Sequence, residues 1–232
     1  MKVELCTASI RAIQLAKQFN FDRVELCQNL EQGGMTPSPG FIEYSIAYGV
    51  ETHVLIRPRP GGFKYNWDEV EIMLRDILEC ESMGAHGVVV GALDEFGLID
   101  EKAVGLMVEK AKGMDVTFHR AFDDTYDYEK SIDTLVNLGV KRILSSGLGS
   151  NVDLGMKNLE AMVRYADNRI EIMTGGGVNS NNILALRDNV KPDAIHFSGT
   201  KKALLDEGSM FSENVLKVDE KKVERLISAI RS

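Results

Sequence analysis

Two short segments near the start of the chain carry the same chemistry at the same spacing. Val3-Glu4-Leu5-Cys6 and Val24-Glu25-Leu26-Cys27 each place a carboxylate and a thiol two residues apart. Side chains alternate between faces along a strand, so Glu4 shares a face with Cys6, and Glu25 with Cys27, while the leucines take the other face. Leucine faces an apolar layer. If both strands belong to a closed parallel barrel, the glutamates and cysteines face the lumen and converge near one mouth. Carboxylates there serve proton transfer, and paired thiols are soft donors suited to Cu(I). Two plainer readings stand beside these. The glutamates can be neutralised by arginines in a structural network, since an unpaired buried carboxylate is costly. The cysteines can be inert, since free cysteine is among the most buried residue types.

The elements that would position these residues follow from hydrophobic periodicity. β-branched runs occur at 3–6, 23–27, 52–57, 87–91, 115–119, 141–146, 170–174 and 193–198. Amphipathic stretches follow near 8–19, 40–49, 67–83, 100–112, 127–138, 153–166, 180–189 and 219–231. Eight strand–helix units at this length predict an α/β fold, a single (β/α)8 TIM barrel spanning residues 1–232. The competing open, doubly wound sheet announces itself with Gly-x-Gly-x-x-Gly after the first strand, and Cys6-Thr7-Ala8-Ser9 stands there instead. Thr36-Pro37 and Ser38-Pro39 both read as helix starts, and Asp100 as a cap. Gly49, Gly84, Gly113 and Gly139 sit where helices should end. Residues 200–218 are expected to form a loop over one barrel end, with room for a short helix.

Chemistry in such barrels sits at the carboxyl ends of the strands. Strand three ends in Arg57-Pro58-Arg59, whose guanidinium groups can hold a carboxylate or phosphate in bidentate fashion or neutralise Glu4 and Glu25. Strand five ends in His119-Arg120-Ala121-Phe122-Asp123. His119 is a candidate proton shuttle or a hydrogen-bonded core residue, and Asp123 is expected to cap the next helix rather than to orient Arg120. Gly176 and Gly177 after strand seven, with Ser198, Gly199 and Thr200 after strand eight, occupy the loops where this fold most often holds phosphate. Their backbone N–H groups can bind an anion, phosphate or carboxylate. The catalytic candidates are thus Glu4, Glu25 and His119. The anion-binding candidates are Arg57, Arg59, Arg120, Gly176, Gly177, Ser198, Gly199 and Thr200. His196 is left open between site and scaffold. His53 and His86 read as structural, and Cys80 as helix core beside Met73 and Ile77. No zinc, metalloprotease or calcium motif is present.

Composition narrows the classes. The chain has 232 residues and a net charge of −8, which argues against nucleic acid as a main partner. Three cysteines without paired spacing fit reduced thiols in a cytoplasmic setting. No signal-peptide pattern is apparent. No apolar run approaches the roughly 20 residues of a membrane helix.

Five segments then resemble one family in order along nearly the whole chain, weakening after about residue 200. They are Phe21-Asp22-Arg23-Val24-Glu25-Leu26-Cys27, Gly33-Gly34-Met35-Thr36-Pro37-Ser38, Ile56-Arg57-Pro58-Arg59, Val116-Thr117-Phe118-His119-Arg120-Ala121-Phe122-Asp123 and Ile143-Leu144-Ser145-Ser146-Gly147. They resemble the CutC copper-homeostasis family. The resemblance implies a TIM barrel, a cytoplasmic location, copper binding, and a homodimer or higher homo-oligomer. Copper, as Cu(I), would fall on Cys6 and Cys27. The residues themselves also allow an enzyme that acts on a small anionic substrate by acid/base chemistry.

Overall fold

The structure is a computed structural model, and it describes residues 1–210 and 212–231. Eight parallel strands close a barrel in chain order. They are β1 (Lys2–Thr7), β2 (Arg23–Leu26), β3 (Thr52–Leu55), β4 (Gly87–Val90), β5 (Asp115–Phe118), β6 (Arg142–Ser145), β7 (Glu171–Thr174) and β8 (Ala194–Phe197). The connecting helices are α1 (Ile10–Gln18), α2 (Pro39–Ala47), α3 (Trp67–Ser82), α4 (Glu101–Lys110), α5 (Tyr128–Asn137), α6 (Val152–Ala166), the short α7 (Ile183–Ala185) with a π-turn after it, and α8 (Glu220–Arg231). The predicted (β/α)8 TIM barrel is therefore present, every predicted strand run included.

Local signals explain most of the boundaries. Ser9, Asn66, Asp100, Asp127 and Asn151 each accept a backbone N–H at a helix start. Asn66 and Glu69 form a reciprocal capping box. Only one of the two Pro-based starts is used: α2 begins at Pro39, while Thr36 instead accepts the Arg57 N–H at 2.9 Å. Residues 200–218 differ from the expectation of a loop. They form an antiparallel hairpin, β9 (Thr200–Leu205) with β10 (Glu213–Val218). The run Thr200-Lys201-Lys202-Ala203-Leu204-Leu205 mixes polar and apolar residues without clean alternation, and none of its six residues is fully buried. The hairpin rests on the β2–α2 connection, where Glu31 accepts the Leu216 N–H at 2.5 Å.

Three apolar clusters result. Leu5, Val24, Leu26 and Val54 point outward and pack with the helices in one large cluster. Cys6, Cys27, Leu55 and Val89 form a small cluster of their own, as do Leu144, Met173 and Ala194. The register places Glu4 beside Arg23, Cys6 beside Glu25, and Glu4 beside His196. The lumen is thus a ring of polar and apolar side chains, as alternation requires. Gly87 and Gly91 make that ring possible: a Cβ on Gly87 would stand 2.6 Å from the His53 ring, and one on Gly91 2.4 Å from the His119 ring.

Gly155 has a comparable role outside the barrel. A Cβ there would lie 1.8 Å from the Ser146 carbonyl oxygen, so α6 can approach the β6 loop only as glycine. Alanine normally stabilises a helix interior by about 1 kcal/mol over glycine. Here the sign reverses. Gly155→Ala is expected to destabilise the fold by about 1–3 kcal/mol, the range for overpacking, read as a lower urea midpoint. A raised midpoint would show that α6 does not press on that loop.

Candidate functional site

The carboxyl ends of the strands enclose a cavity of about 370 Å³, a volume suited to a small molecule. Its floor comes from β1, β2 and β8. The Cys6 thiol donates to Glu25 Oε1 at 3.3 Å, and the Cys27 thiol donates to the Thr7 carbonyl at 3.5 Å. His196 Nδ1 donates to Glu4 Oε1 at 2.6 Å, which leaves Nε2 for a cavity ligand. One ligand atom from each of Cys6, Glu25 and His196 fits within a 4.8 Å span.

Glu4 lies beneath this floor, fully buried, and is held by Arg23, which is also fully buried. Burial alone would raise its pKa, but the His196 hydrogen bond and the Arg23 charge outweigh that and hold the carboxyl well below the usual range. Glu25 has no such clamp. Burial pushes its pKa up, with His196 pulling against it and Glu4 adding to it. The Cys6 thiol is pushed well up by the adjacent Cys27 thiol, by burial and by the Glu25 carboxyl. His196 is drawn up despite burial, because Glu25 and Glu4 favour its cation. The two carboxyls on one face are therefore shifted in opposite directions, Glu4 down and Glu25 up.

The opposite wall comes from β3 and β5. His119 is buried, and its Nδ1 accepts the Ala121 N–H at 3.1 Å. The proton of the neutral ring therefore sits on Nε2, which has no protein partner. Burial and the nearby Arg57 charge hold this imidazole down at about 3. Phe63 packs on the ring at 4.8 Å between centroids. Arg57 Nη1 donates to the Gln32 and Gly34 carbonyls at 3.1 and 2.8 Å, and Nη2 to Gly61 at 2.6 Å. Its Nε is buried without a partner.

The other candidates are distributed as follows. Arg120 donates to Asp123 Oδ2 and to Ser146 Oγ, both at 2.8 Å. Asp123 also takes the Ser145 hydroxyl at 2.6 Å, so it orients Arg120 and the β6 loop, contrary to the expected cap. Asp127 caps α5 instead. Gly176, Gly177, Ser198 and Gly199 line the cavity. Thr200 starts the hairpin, where its hydroxyl meets Ser198 at 3.0 Å. Arg59 turns away from the cavity to the Glu69 carboxylate and stacks on Tyr65. Neither Arg57 nor Arg59 neutralises Glu4; Arg23 does. His53 meets Glu51 at 3.2 Å, and His86 accepts the Thr52 N–H at 3.1 Å, so both hold scaffold. Cys80 is buried in α3.

Sequence reasoning passed over Arg23 and Lys222 and left His196 open. The signal for Arg23 was available: it stands two residues before Glu25, hence on the same face. Lys222 lines the cavity from α8, a placement set by tertiary packing that no strand-end pattern exposes.

Comparison with known proteins places the whole architecture. Residues 1–201 match the CutC family model. A CutC family protein of Glaesserella parasuis serovar 5 is 38% identical over 240 residues, covering 99% of each chain. One of Enterococcus faecalis is 41% identical over 206 residues, 85% of this chain and 98% of its own. The crystal structure of CutC from Streptococcus agalactiae superposes with a TM-score of 0.80 at 37% identity, covering 84% of this chain and 97% of its own. With the barrel and the family model agreeing over the same residues, this chain belongs to the CutC family.

Proposed function

We propose that the protein works in copper homeostasis, binding one Cu(I) per chain on the cavity floor. The S. agalactiae relative is named for copper homeostasis, and that role is carried here as part of the reading. Cys6 and Cys27 would supply thiolates and His196 Nε2 a third donor. The observation that carries this is the convergence of both buried thiols and one imidazole on a single cavity. The donor set fits the ion: thiolate and imidazole are the ligands Cu(I) prefers. Glu4 supports it by fixing the His196 ring through Nδ1, the second-shell bond common to metal-binding histidines. Glu25 stands where it can take the proton that Cys6 releases as the ion arrives.

The same reading places the protein in the cytoplasm as a single-domain barrel that assembles with its own kind. The three cysteines are free, which suits a reducing compartment. No helix among the described residues is long and apolar enough to cross a membrane.

An anaerobic competition titration of Cu(I) against a high-affinity chelator tests the site. Wild type and Cys80→Ser are expected to bind one equivalent tightly. Cys6→Ser combined with Cys27→Ser is expected to lose tight binding, and His196→Ala, which removes a donor outright, to weaken it by at least the roughly 10- to 100-fold typical of losing a ligand's supporting partner. Unchanged affinity in the double serine variant would sink the thiolate site.

A further inference from the structure

We propose that the cavity also takes a small phosphorylated molecule, whose phosphate sits between the loops after β7 and β8 while its body reaches toward His119. This goes beyond the copper reading and does not depend on it.

The charge balance is the first ground. The chain as a whole carries −8, yet among the described residues Glu25 is the only acidic one lining the cavity, against Arg57, Lys222 and Arg120, the last paired with Asp123 behind the wall. A basic pocket in an acidic protein selects an anion.

The second ground is a set of free donors. Among the described residues, no protein acceptor takes the backbone N–H of Gly176, Gly177 or Gly199. All three residues have positive φ, of 98°, 85° and 59°, which turns the peptides in a way that side-chain-bearing residues rarely adopt. Gly176 also admits Arg120: a Cβ would stand 2.9 Å from its Cζ. Arg120 spends Nε on Asp123 and Nη2 on Ser146, so Nη1 remains beside these glycines. Lys222 Nζ reaches the same rim, donating to the Thr200 carbonyl at 3.1 Å.

The third ground is independent of the loops. His119 and Arg57 are each 6% exposed and border the cavity, and each keeps a buried N–H without a protein partner. Buried donors without partners are rare in folded proteins and signal a ligand or a water. The imidazole is neutral across the physiological range, so its Nε2–H is a fixed donor rather than a second cation. That suits a hydroxyl or carbonyl oxygen on the ligand body, and Phe63 and Phe197 supply apolar walls. Several convergent N–H groups with two cationic side chains match a tetrahedral dianion better than a planar carboxylate.

Isothermal titration at constant ionic strength tests this with inorganic phosphate, glycerol 3-phosphate and acetate. Glycerol 3-phosphate is expected to bind more tightly than inorganic phosphate, and acetate not to saturate. Lys222→Ala is expected to weaken glycerol 3-phosphate at least about five-fold, the scale of one charge-assisted bond, and Lys222→Arg to restore most of it. Lys222 is half-buried on α8, and its one side-chain hydrogen bond goes to the Thr200 carbonyl. Equal affinity for inorganic phosphate would overturn the phosphorylated molecule in favour of the free ion. Acetate binding as well as phosphate would overturn the phosphate assignment. Absence of saturation, or an unchanged Lys222→Ala variant, would overturn the site.

Discussion

Glu4→Gln is expected to lower the unfolding free energy by about 3–5 kcal/mol, the cost of breaking a buried ion pair from one side. The substitution keeps the shape, removes the charge and turns one acceptor oxygen into an NH2 donor. Arg23 is then left as a cation with no exposed surface, its Nη1 without a partner and its Nη2 against the Met173 sulfur at 3.4 Å. Glutamine has one acceptor oxygen where the carboxylate has two, so it cannot serve both Arg23 Nε and His196 Nδ1. A double variant separates charge from packing: Glu4→Leu with Arg23→Met removes both charges and is expected to cost less than Glu4→Gln alone. Urea unfolding at neutral pH reads both. A double variant less stable than the single one would mean that the pair matters through its shape.

The same pair sets a pH expectation. The folded pKa of Glu4 lies below its ordinary 4.5, so the unfolded chain takes up the proton first. Its stabilising contribution is complete above the unfolded value and is lost as pH falls through the folded one. The contribution of the Glu4–Arg23 pair should therefore hold through mild acid and be lost only in strong acid.

The sequence exposed this site unevenly, and the reason is geometric. Alternation along a strand is strictly local, so the inward placement of Glu4, Cys6, Glu25 and Cys27 could be read from two tetrapeptides. The order of the strands followed from the eight-fold cadence, and closure then brought β1 and β8 together. Partner choice was not local. Which arginine reaches Glu4 depends on the register of β1 against β2, and that register puts Arg23, not Arg57, opposite it. Arg57 spends its donors on loop carbonyls instead. Arg59, one residue past a proline, leaves the strand line and turns to Glu69. Lys222 enters from a helix some 200 positions away from β1, along a path that only the packed chain defines. The 200–218 hairpin lacks the strict alternation that marks a half-buried strand, because most of its side chains meet water on both faces.

His119→Asn is expected to flatten the acid side of the stability profile. In the folded protein burial and the Arg57 charge hold the His119 ring down at about 3, against an ordinary 6.5. Between those values the unfolded chain binds a proton that the folded one refuses. Stability therefore rises with pH through this window and falls on acidification, by about 1.4 kcal/mol per pH unit for one such group. Over the whole window the loss approaches about 5 kcal/mol as an upper bound. Asparagine removes the titration, and its Oδ1 stands where Nδ1 does, so it can still accept the Ala121 N–H that Nδ1 takes at 3.1 Å, and the local turn should survive. The other acid-sensitive groups, Glu4, Glu25 and His196, are common to both proteins and cancel in the difference. Urea unfolding of the two proteins from pH 7.5 to pH 4 should give curves that lie together above the histidine range and diverge below it, with wild type falling faster. Parallel curves would mean that the folded ring accepts a proton as readily as a free histidine, and that the neutral donor at the cavity wall does not exist.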